Sequence, residues 1–259
     1  MIFRVIIPRN KRTGGGLTLN IDYYFRKPEK FPIPGFLAEL REPWEILALA
    51  NTFLENSLVK HDIRENHGSV CIGNGGEASS PVFHNSYYID GGSVIYNGVT
   101  IIGPVYIGRN VEIMPGALIR PYTIIGDGCS VGHGSEVKHV VMFGGAKIAS
   151  LAFAGDSVLG ASARLGSGVI TANRKFDQSE VSLKLPDGKK NLGADKFGLI
   201  LGDSSRLGAN CVTQPGTHIG PNTWVFPGVA ARGFIPENTR VAEERTLRFS
   251  PNAGVELKP

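Results

Sequence analysis

Aliphatic residues recur at every sixth position along the middle of the chain. A small or β-branched residue follows each of them four places later, and turn formers such as Asn97-Gly98 and Asp127-Gly128 lie between. This spacing fits neither the 3.6-residue period of a helix nor the two-residue period of a flat strand. It predicts short strands joined by tight turns, with one aliphatic and one small side chain pointing inward on each side of a coil. The aliphatic series is Ile89, Ile95, Ile101, Ile107, Ile113, Ile119, Ile125, Val131 and Val137.

The six-residue repeat also predicts the fold class. Three such sides complete a coil, and coils stack by parallel strand pairing about 4.8 Å apart. We therefore expect an all-β protein, a left-handed parallel β-helix of hexapeptide repeats, carrying a short N-terminal extension that is α-helical and irregular. The expected handedness is an exception to the right-handed rule for parallel crossovers.

The limits of the repeat divide the chain. The β-helix is expected over residues 83–232, with an excursion over 172–197 whose Pro-Asp-Gly sequence is typical of a hairpin turn. Residues 233–259 lose the repeat and are expected to form a C-terminal tail that caps the open end of the coil. The spacing falters after Val137, where the inward candidates are Met142, Ile148 and Phe153.

Residues 1–82 form the predicted N-terminal extension. Residues 17–25, LTLNIDYYF, are the best strand candidate. A helix is expected over about 43–58, since proline is favoured in a first helical turn. This helix is apolar on two sides, so we expect the end of the β-helix or a neighbouring subunit to cover it. Residues 59–82 are polar and glycine-rich, which predicts a linker or an irregular first coil.

Composition narrows the cellular context. The chain has 259 residues with 34 glycines, and no apolar run reaches the ~18 residues of a membrane span, so we expect no membrane insertion. The N-terminal apolar run is too short for a signal peptide. Three cysteines without CxxC spacing, two of them (Cys129 and Cys211) at small inward positions, favour core packing and a cytoplasmic location. The net charge of +4 is compatible with an anionic ligand, whereas no basic block interleaved with aromatics indicates nucleic acid.

Two cations stand where the repeat often has glycine, directly after an inward aliphatic. Arg120 and Lys138 are eighteen residues apart, so they are expected one coil apart on the same side. Two cations held so close repel unless an anion lies between them. Arginine supplies a bidentate fork and lysine a point charge, so the pair predicts a phosphate site. The alternative is that both side chains extend into solvent. Lys196 is a candidate third cation, from a neighbouring chain.

Residues 116–177 and 196–229 resemble the acetyltransferase domain of the bifunctional N-acetylglucosamine-1-phosphate uridylyltransferase/glucosamine-1-phosphate acetyltransferase family, in its archaeal-type branch. The resemblance covers about residues 85–232, and REPWEILALANTFLE is similar to the helix that follows the family's nucleotidyltransferase domain. No GxGTRM-type loop precedes this helix, so uridylyl transfer is not expected. In the family, a cationic triad in LRPG-, EIK- and KFxxxxG-like motifs binds the sugar phosphate. These positions correspond to Arg120 (LIRPY), Lys138 (EVKH) and Lys196 (KFGLILG).

The resemblance also marks a departure at the reacting end of the site. The family's general base is the histidine of a GHLxYxGD-like motif, which reads ASLAFAGD here and places Ser150 at that position. Phe153 replaces the family's tyrosine, and Arg164 replaces an asparagine that contacts the sugar. A serine hydroxyl does not titrate near neutrality, and the loss of a positioned base typically costs about 10²–10⁴-fold in rate. His139 is the candidate replacement, because it follows Lys138 directly.

The family resemblance further implies acetyl-CoA as co-substrate, lying in a groove between the subunits of a homotrimer. The corresponding positions are Gly208, Ala209, Pro227 and Gly228, although hexapeptide turns require small residues there in any case. No metal site is expected, since the histidines do not reproduce the spacing of γ-class carbonic anhydrases.

Three functions remain open from the sequence. The first is acyl transfer from acyl-CoA to a small anionic sugar, a sugar phosphate or a nucleotide sugar. The second is non-catalytic binding of a sugar phosphate, as a sensor or as the partner of a separate nucleotidyltransferase. The third is a trimeric scaffold without a ligand.

Overall fold

A three-sided coil of parallel strands forms the centre of the protein. The structure is a computed structural model that describes residues 19–33, 37, 40–69, 71–72, 80–186 and 188–244. Its strands form one 15-stranded sheet, which bends around a corner to make two walls, and one 9-stranded sheet, which makes the third. All pairing between coils is parallel, and the predicted left-handed parallel β-helix is confirmed.

Wall 1 and wall 2 share two long strands, Glu136–Met142 and Phe153–Leu159, which run through the corner between the walls. The other strands of wall 1 are Arg64–Asn66, Tyr87–Ile89, Val105–Ile107, Thr123–Ile125, Leu199–Leu201, Thr217–Ile219 and Phe234–Ile235. The other strands of wall 2 are Val82–His84, Thr100–Ile102, Leu118–Ile119, Ile170–Thr171, Val212–Thr213 and Ala230–Ala231.

Wall 3 is the 9-stranded sheet. Its strands are Cys71–Ile72, Val94–Ile95, Glu112–Ile113, Ser130–Val131, Lys147–Ile148, Arg164–Leu165, Arg206–Leu207, Trp224–Val225 and Arg240–Val241. Along every wall the aliphatic residue of the repeat points into the coil and its neighbours point out. This alternation leaves three outer faces on which chemistry can be placed.

The inward positions form one continuous core. All nine residues of the predicted aliphatic series are completely buried in it. Cys129 and Cys211 are buried free thiols at the small positions, as predicted. One inward assignment was wrong: Ala154 is buried in this core, while Phe153 lies outside it and is half-buried. The inward positions Val137 to Met142 and Ala154 to Leu159 are therefore each five residues apart, and both short steps occur at the corner between walls 1 and 2.

The β-helix is longer than residues 83–232 at both ends. Arg64–Asn66 already pairs with the next coil of wall 1, so part of the predicted linker belongs to the coil. Arg240–Val241 still pairs on wall 3, beyond the predicted end. The excursion contains the predicted hairpin, an antiparallel pair of Ser182–Leu185 with Gly188–Asn191. Most of the predicted tail, residues 245–259, lies outside the described residues.

Helices of the N-terminal extension cover wall 1. The strand predicted over residues 17–25 was wrong for its described part, since Ile21–Tyr24 form an α-helix (α1) capped by the Asn20 side chain. The predicted helix over 43–58 is a 3₁₀ turn over Pro43–Glu45, an α-helix over Ile46–Leu54 (α2) and a π-helical turn over Glu55–Val59. A further 3₁₀ turn spans Pro28–Lys30. No described helix is long and apolar enough to cross a membrane.

Wall 1 is apolar on its outer face, which explains why it is covered. Its outward residues stack in register and pack with α1, α2 and the excursion hairpin in a second core. Helix α2 contacts both long strands, so the flank of the coil covers it, where the end of the coil or a neighbouring subunit was expected. The outward column is Tyr88, Tyr106, Ile124, Val141, Val158, Ile200, His218 and Phe234.

Candidate functional site

His139 and Asp156 occupy the same corner in successive coils. Each turns its long strand from wall 2 onto wall 1 as a single residue with positive φ, 52° for His139 and 47° for Asp156. The five-residue steps in the sequence are the cause, because one residue must make the turn that two make elsewhere. Strand pairing continues on both sides of the corner, so the two side chains are stacked one coil apart.

The two side chains form a hydrogen-bonded pair. His139 Nδ1 lies 2.8 Å from Asp156 Oδ1. Asn173 Nδ2 donates to the other carboxylate oxygen at 2.5 Å, and Lys138 Nζ lies 3.5 Å from that oxygen. The Asp156 side chain is 5% exposed. Burial acts to raise its pKa, but the hydrogen bonds from His139 and Asn173 and the nearby charges outweigh burial and hold the pKa below its usual value.

The free nitrogen of His139 is the most unusual atom of this cluster. An ionised carboxylate only accepts hydrogen bonds, so Nδ1 carries the proton and Nε2 of the neutral ring is an acceptor. Nε2 is buried and has no hydrogen-bond partner among the described residues. A buried polar atom without a partner costs about 1–3 kcal/mol, so a ligand that forms a hydrogen bond with Nε2 would remove this cost.

Arg120 and Lys138 lie one coil apart on wall 2, with the pairing of Leu118 and Ile119 to Glu136 and Val137 fixing the register. Each cation has its own carboxylate: Arg120 Nη1 lies 2.7 Å from Glu136 Oε1, and Lys138 faces Asp156. Repulsion between the cations therefore does not by itself require a bound anion, contrary to the argument from sequence.

Gly155 pairs with Lys138 of the preceding coil, and its missing side chain leaves a notch that the side chains of Asn173 and Phe153 fill. A Cβ atom at this position would lie 2.8 Å from Asn173 Nδ2 and 2.8 Å from the ring of Phe153. Glycine is thus required for the Asn173 amide and the Phe153 ring to approach the backbone here. Lys138 and Asp156 lie beside these side chains at the corner end of wall 2.

Ser150 lies at the opposite end of wall 2. It belongs to the turn that leads from wall 3 into the strand Phe153–Leu159, while Asp156 ends the wall. Six residues separate Ser150 from Asp156, and at ~3.3 Å per residue their separation is at most roughly 20 Å. Ser150 makes no side-chain hydrogen bond among the described residues, although the register of Val131 with Ile148 places His133 one coil away at the same corner.

The remaining predicted substrate residues are not all brought together in one chain. Arg164 is exposed on wall 3, in register with Lys147 and Arg206, so it faces away from Arg120 and Lys138. Lys196 forms an isolated bridge with Arg174 at the base of the excursion. The next residue donates its backbone N–H to the Asn173 carbonyl, so the Lys196 backbone lies beside the cluster in its own chain.

The predicted acyl-CoA positions lie at the corner between walls 3 and 2, in later coils. A Cβ on Gly208 would lie 2.6 Å from the backbone nitrogen of Pro227, and Gly228 donates its N–H to the Ala209 carbonyl at 2.9 Å. Close stacking of successive corners therefore explains why these residues are small. Among the described residues, no group of histidine, cysteine and acidic side chains could hold a metal ion.

The sequence alone did not indicate a role for Asp156, Asn173 or Glu136. A signal for Asp156 was present, because the two five-residue steps place His139 and Asp156 at equivalent corners. Asn173 gave no such signal, since the excursion brings it back to the corner only in the folded chain.

Comparison with known proteins identifies the family. The putative uncharacterized acetyltransferase YaiX of Escherichia coli is 38% identical over an alignment of 164 residues, and the match covers 56% of this chain and 71% of YaiX. The bifunctional protein GlmU of Methanocaldococcus jannaschii is 29% identical over 225 residues, covering 86% of this chain and 52% of GlmU. The chain belongs to the acetyltransferase family that includes YaiX and the acetyltransferase region of GlmU. It spans about half the length of that GlmU relative.

One family model and one solved structure are also similar to this chain. The family model described as the GMPPB C-terminal domain matches residues 101–184. Among solved structures, a UDP-N-acetylglucosamine acyltransferase from Arabidopsis superposes with a TM-score of 0.47 at 14% identity, covering 70% of this chain and 67% of that one.

Proposed function

We propose that this protein transfers an acetyl group from acetyl-CoA to the amine of a sugar phosphate or nucleotide sugar, with His139 as the general base. The observation that carries the proposal is the unpartnered Nε2 of His139, whose other nitrogen is bonded to the buried Asp156 carboxylate. A carboxylate in this position fixes the tautomer that leaves Nε2 ready to accept a proton.

The chemistry follows from this tautomer. The amine nitrogen bonds to the thioester carbon and Nε2 takes a proton from that nitrogen. The C–S bond then breaks, and the imidazolium returns the proton to the departing coenzyme A thiolate. The resulting imidazolium would be stabilised by Asp156, whose carboxylate stays ionised because its pKa is depressed. The Ser150 hydroxyl has no hydrogen-bonded carboxylate among the described residues, so we assign the base to His139.

The Nε2 atom is covered within the chain, so substrate entry must displace a neighbouring side chain. The Tyr122 ring packs edge-on against the His139 ring, with centroids 6.2 Å apart. Tyr122 is in turn held by its hydroxyl, which donates to Glu55 Oε1 at 2.5 Å. We infer that a shift of Tyr122 uncovers Nε2 when the sugar binds.

Arg120 and Lys138 are placed to bind the anionic end of the sugar. The Arg120–Glu136 pair is 39% and 34% exposed, and ion pairs of this kind contribute only about 0–1 kcal/mol. A phosphate can therefore take the guanidinium from Glu136 at little cost. Lys196 would add a third cation, from its own chain or from a neighbour.

The outer face of wall 2 supports a homotrimer. Phe153, Ile170 and Val212 occupy successive coils of its outward column, and Ile170 and Val212 are 38% and 40% exposed. A contiguous exposed apolar stripe marks an interaction surface. Subunits meeting on this wall would bury the stripe and enclose Arg120, Lys138 and the notch at Gly155. The buried free thiols of Cys129 and Cys211 are compatible with the reducing cytoplasm.

The direct test is release of free thiol on incubation with acetyl-CoA and glucosamine-1-phosphate, extended to a panel of amino sugars. His139→Asn should lower kcat by about 10²–10⁴-fold with KM nearly unchanged. Asparagine keeps a donor for Asp156, so this variant removes only the proton acceptor. Ser150→Ala should lose far less activity, and Arg120→Ala should chiefly raise KM for the sugar. If His139→Asn turns over as fast as the wild type, the assignment of the base is wrong.

The same experiment separates the alternative functions. Calorimetric binding of glucosamine-1-phosphate without acetylation of any amino sugar would favour a non-catalytic sensor or the partner of a separate nucleotidyltransferase. Unchanged binding by Arg120→Ala would remove the phosphate assignment. No binding at all would leave a structural scaffold.

A further inference from the structure

Four cations and a tryptophan form a straight ladder on the outer face of wall 3. Register pairs link them coil by coil, and every member is exposed. Five successive coils at ~4.8 Å per step give a ladder about 19 Å long. The series is Lys147, Arg164, Arg206, Trp224 and Arg240.

The ladder cations differ from other described arginines in their ion pairing. Arg109 pairs with Asp127 at 3.0 Å and Arg64 with Asp62 at 3.1 Å. Among the described residues, no acidic side chain forms an ion pair with a ladder cation; the guanidinium of Arg240 instead lies 5.4 Å from the Trp224 ring centroid. Unpaired like charges held on adjacent steps repel each other, so this arrangement favours an anion that spans several steps.

The surroundings of the ladder leave it accessible from outside. The next outward position on each of its first three coils is small, namely Ala149, Gly166 and Gly208. At the following coil it is Phe226, which is 44% exposed beside Trp224 at 45%. The cations therefore extend beyond the small residues next to them, and this row ends at the exposed rings of Trp224 and Phe226.

We propose that wall 3 binds a linear acidic polysaccharide along this ladder. Successive coils are ~4.8 Å apart, so carboxylates spaced along a polysaccharide chain can reach the cations of neighbouring coils. The C–H face of a sugar packs on an exposed aromatic ring, as Trp224 offers. The proposal concerns a different wall from the His139 site and does not depend on acetyl transfer.

Two other polyanions fit this surface less well. Phosphates of a duplex DNA strand rise by about 3.4 Å per nucleotide along the axis of a winding helix, which departs from a straight ladder of larger step. A membrane surface attracts cations spread over a plane, whereas these are in single file above small residues. Binding of a nucleic acid and binding of a membrane surface are both measured in the test.

The test measures binding of an oligogalacturonate of about ten sugars to the full chain by fluorescence anisotropy, with its methyl-esterified form as the uncharged probe. The acid form should bind, and its affinity should fall with added salt. The double variant Arg164→Gln/Arg206→Gln should lower the affinity by about tenfold or more. Arg206→Lys, which keeps the charge, should retain most of the binding.

The matched control is Arg64→Gln/Arg109→Gln, which removes the same charge from exposed arginines outside the ladder. It should change the affinity by less than about twofold. Equal losses in the two double variants, or equal binding of the methyl ester, would overturn the proposal. So would tighter binding of oligodeoxythymidylate or of phosphatidylserine vesicles. Complete displacement by stoichiometric coenzyme A would assign the ladder to the acyl donor and would also overturn it.

Discussion

The Tyr24 hydroxyl lies 2.6 Å from Nδ1 of His218 and joins α1 to wall 1 across 194 residues of sequence. Nε2 of the same ring lies 3.0 Å from the Lys184 carbonyl in the excursion hairpin. Nε2 therefore donates its proton to Lys184, and Nδ1 accepts from Tyr24. The neutral ring of His218 therefore links both α1 and the excursion hairpin to the coil through hydrogen bonds.

Stability should fall in acid because of this ring. His218 is completely buried, and burial lowers its pKa to about 4, partly opposed by the bond to the Lys184 carbonyl. The unfolded chain takes up this proton near pH 6.5, so between pH 6.5 and 4 the unfolded state is favoured progressively as the pH falls. We expect His218 to account for a loss of about 3 kcal/mol in the free energy of unfolding across this window.

Urea unfolding of the wild type and of His218→Gln at several pH values measures this loss. Glutamine can accept from Tyr24 and donate to Lys184 without titrating, so the variant should have a shallower dependence of stability on pH. His133→Gln, which alters an exposed histidine, is the control and should behave like the wild type. Parallel curves for wild type and His218→Gln would contradict the prediction.

Asp156→Ala should destabilise the protein by about 2–3 kcal/mol at pH 7. The substitution leaves the His139 and Asn173 donors without their acceptor and Lys138 without its carboxylate. The folded-state pKa of Asp156 is depressed, so its contribution is present above about pH 4 and is lost as the pH falls below that value.

Denaturant titrations of wild type and Asp156→Ala at pH 7 and pH 3 test both parts. The difference in the free energy of unfolding between wild type and Asp156→Ala should be smaller at pH 3 than at pH 7. Asp195→Ala provides a control, because this 51% exposed partner of Arg174 should contribute less than about 1 kcal/mol. A difference as large at pH 3 as at pH 7 would show that the charge of Asp156 is not what stabilises the corner.

Gly155→Ala should disturb the notch without breaking the coil. The added methyl group meets the Asn173 amide and the Phe153 ring at 2.8 Å, so both must move. We expect a loss of stability of about 1–3 kcal/mol together with weaker binding of glucosamine-1-phosphate. Thermal unfolding and calorimetry measure the two effects, and wild-type values in both would mean that the notch is not a binding surface.

Ile170→Lys and Val212→Lys should dissociate the proposed trimer. Each places a charge on the apolar stripe of wall 2, where burial against a second subunit would remove it from water. Sedimentation velocity should change from a trimeric to a monomeric species. The control is Val59→Lys, which alters an equally exposed aliphatic residue, 40% accessible, in the N-terminal extension. A monomeric wild type, or trimeric variants, would contradict the interface.

The pattern of side chains determined the β-helix because its inward positions are set locally. Each aliphatic residue of the series from Ile89 to Val137 is buried by the adjacent turn and by its neighbours at a spacing of six. The same periodicity placed Arg120 and Lys138 one step apart on one wall, and motif similarity supplied the family. The repeat was misread only where it shortens: Phe153 was taken as inward because a five-residue step leaves two neighbouring positions that both fit.

Tertiary structure decided what each of these positions contacts. The N-terminal segment reads as a strand because its apolar residues alternate, yet Ile21–Tyr24 fold as a helix once wall 1 supplies an apolar surface to cover. Asn173 reaches Asp156 only because the excursion returns to the corner, and the carboxylate of Glu136 reaches Arg120 only because coils stack. Such contacts join residues distant in sequence, and no local spacing encodes them. The periodic sequence therefore determined the coil, whereas long-range packing determined the chemistry at its corner.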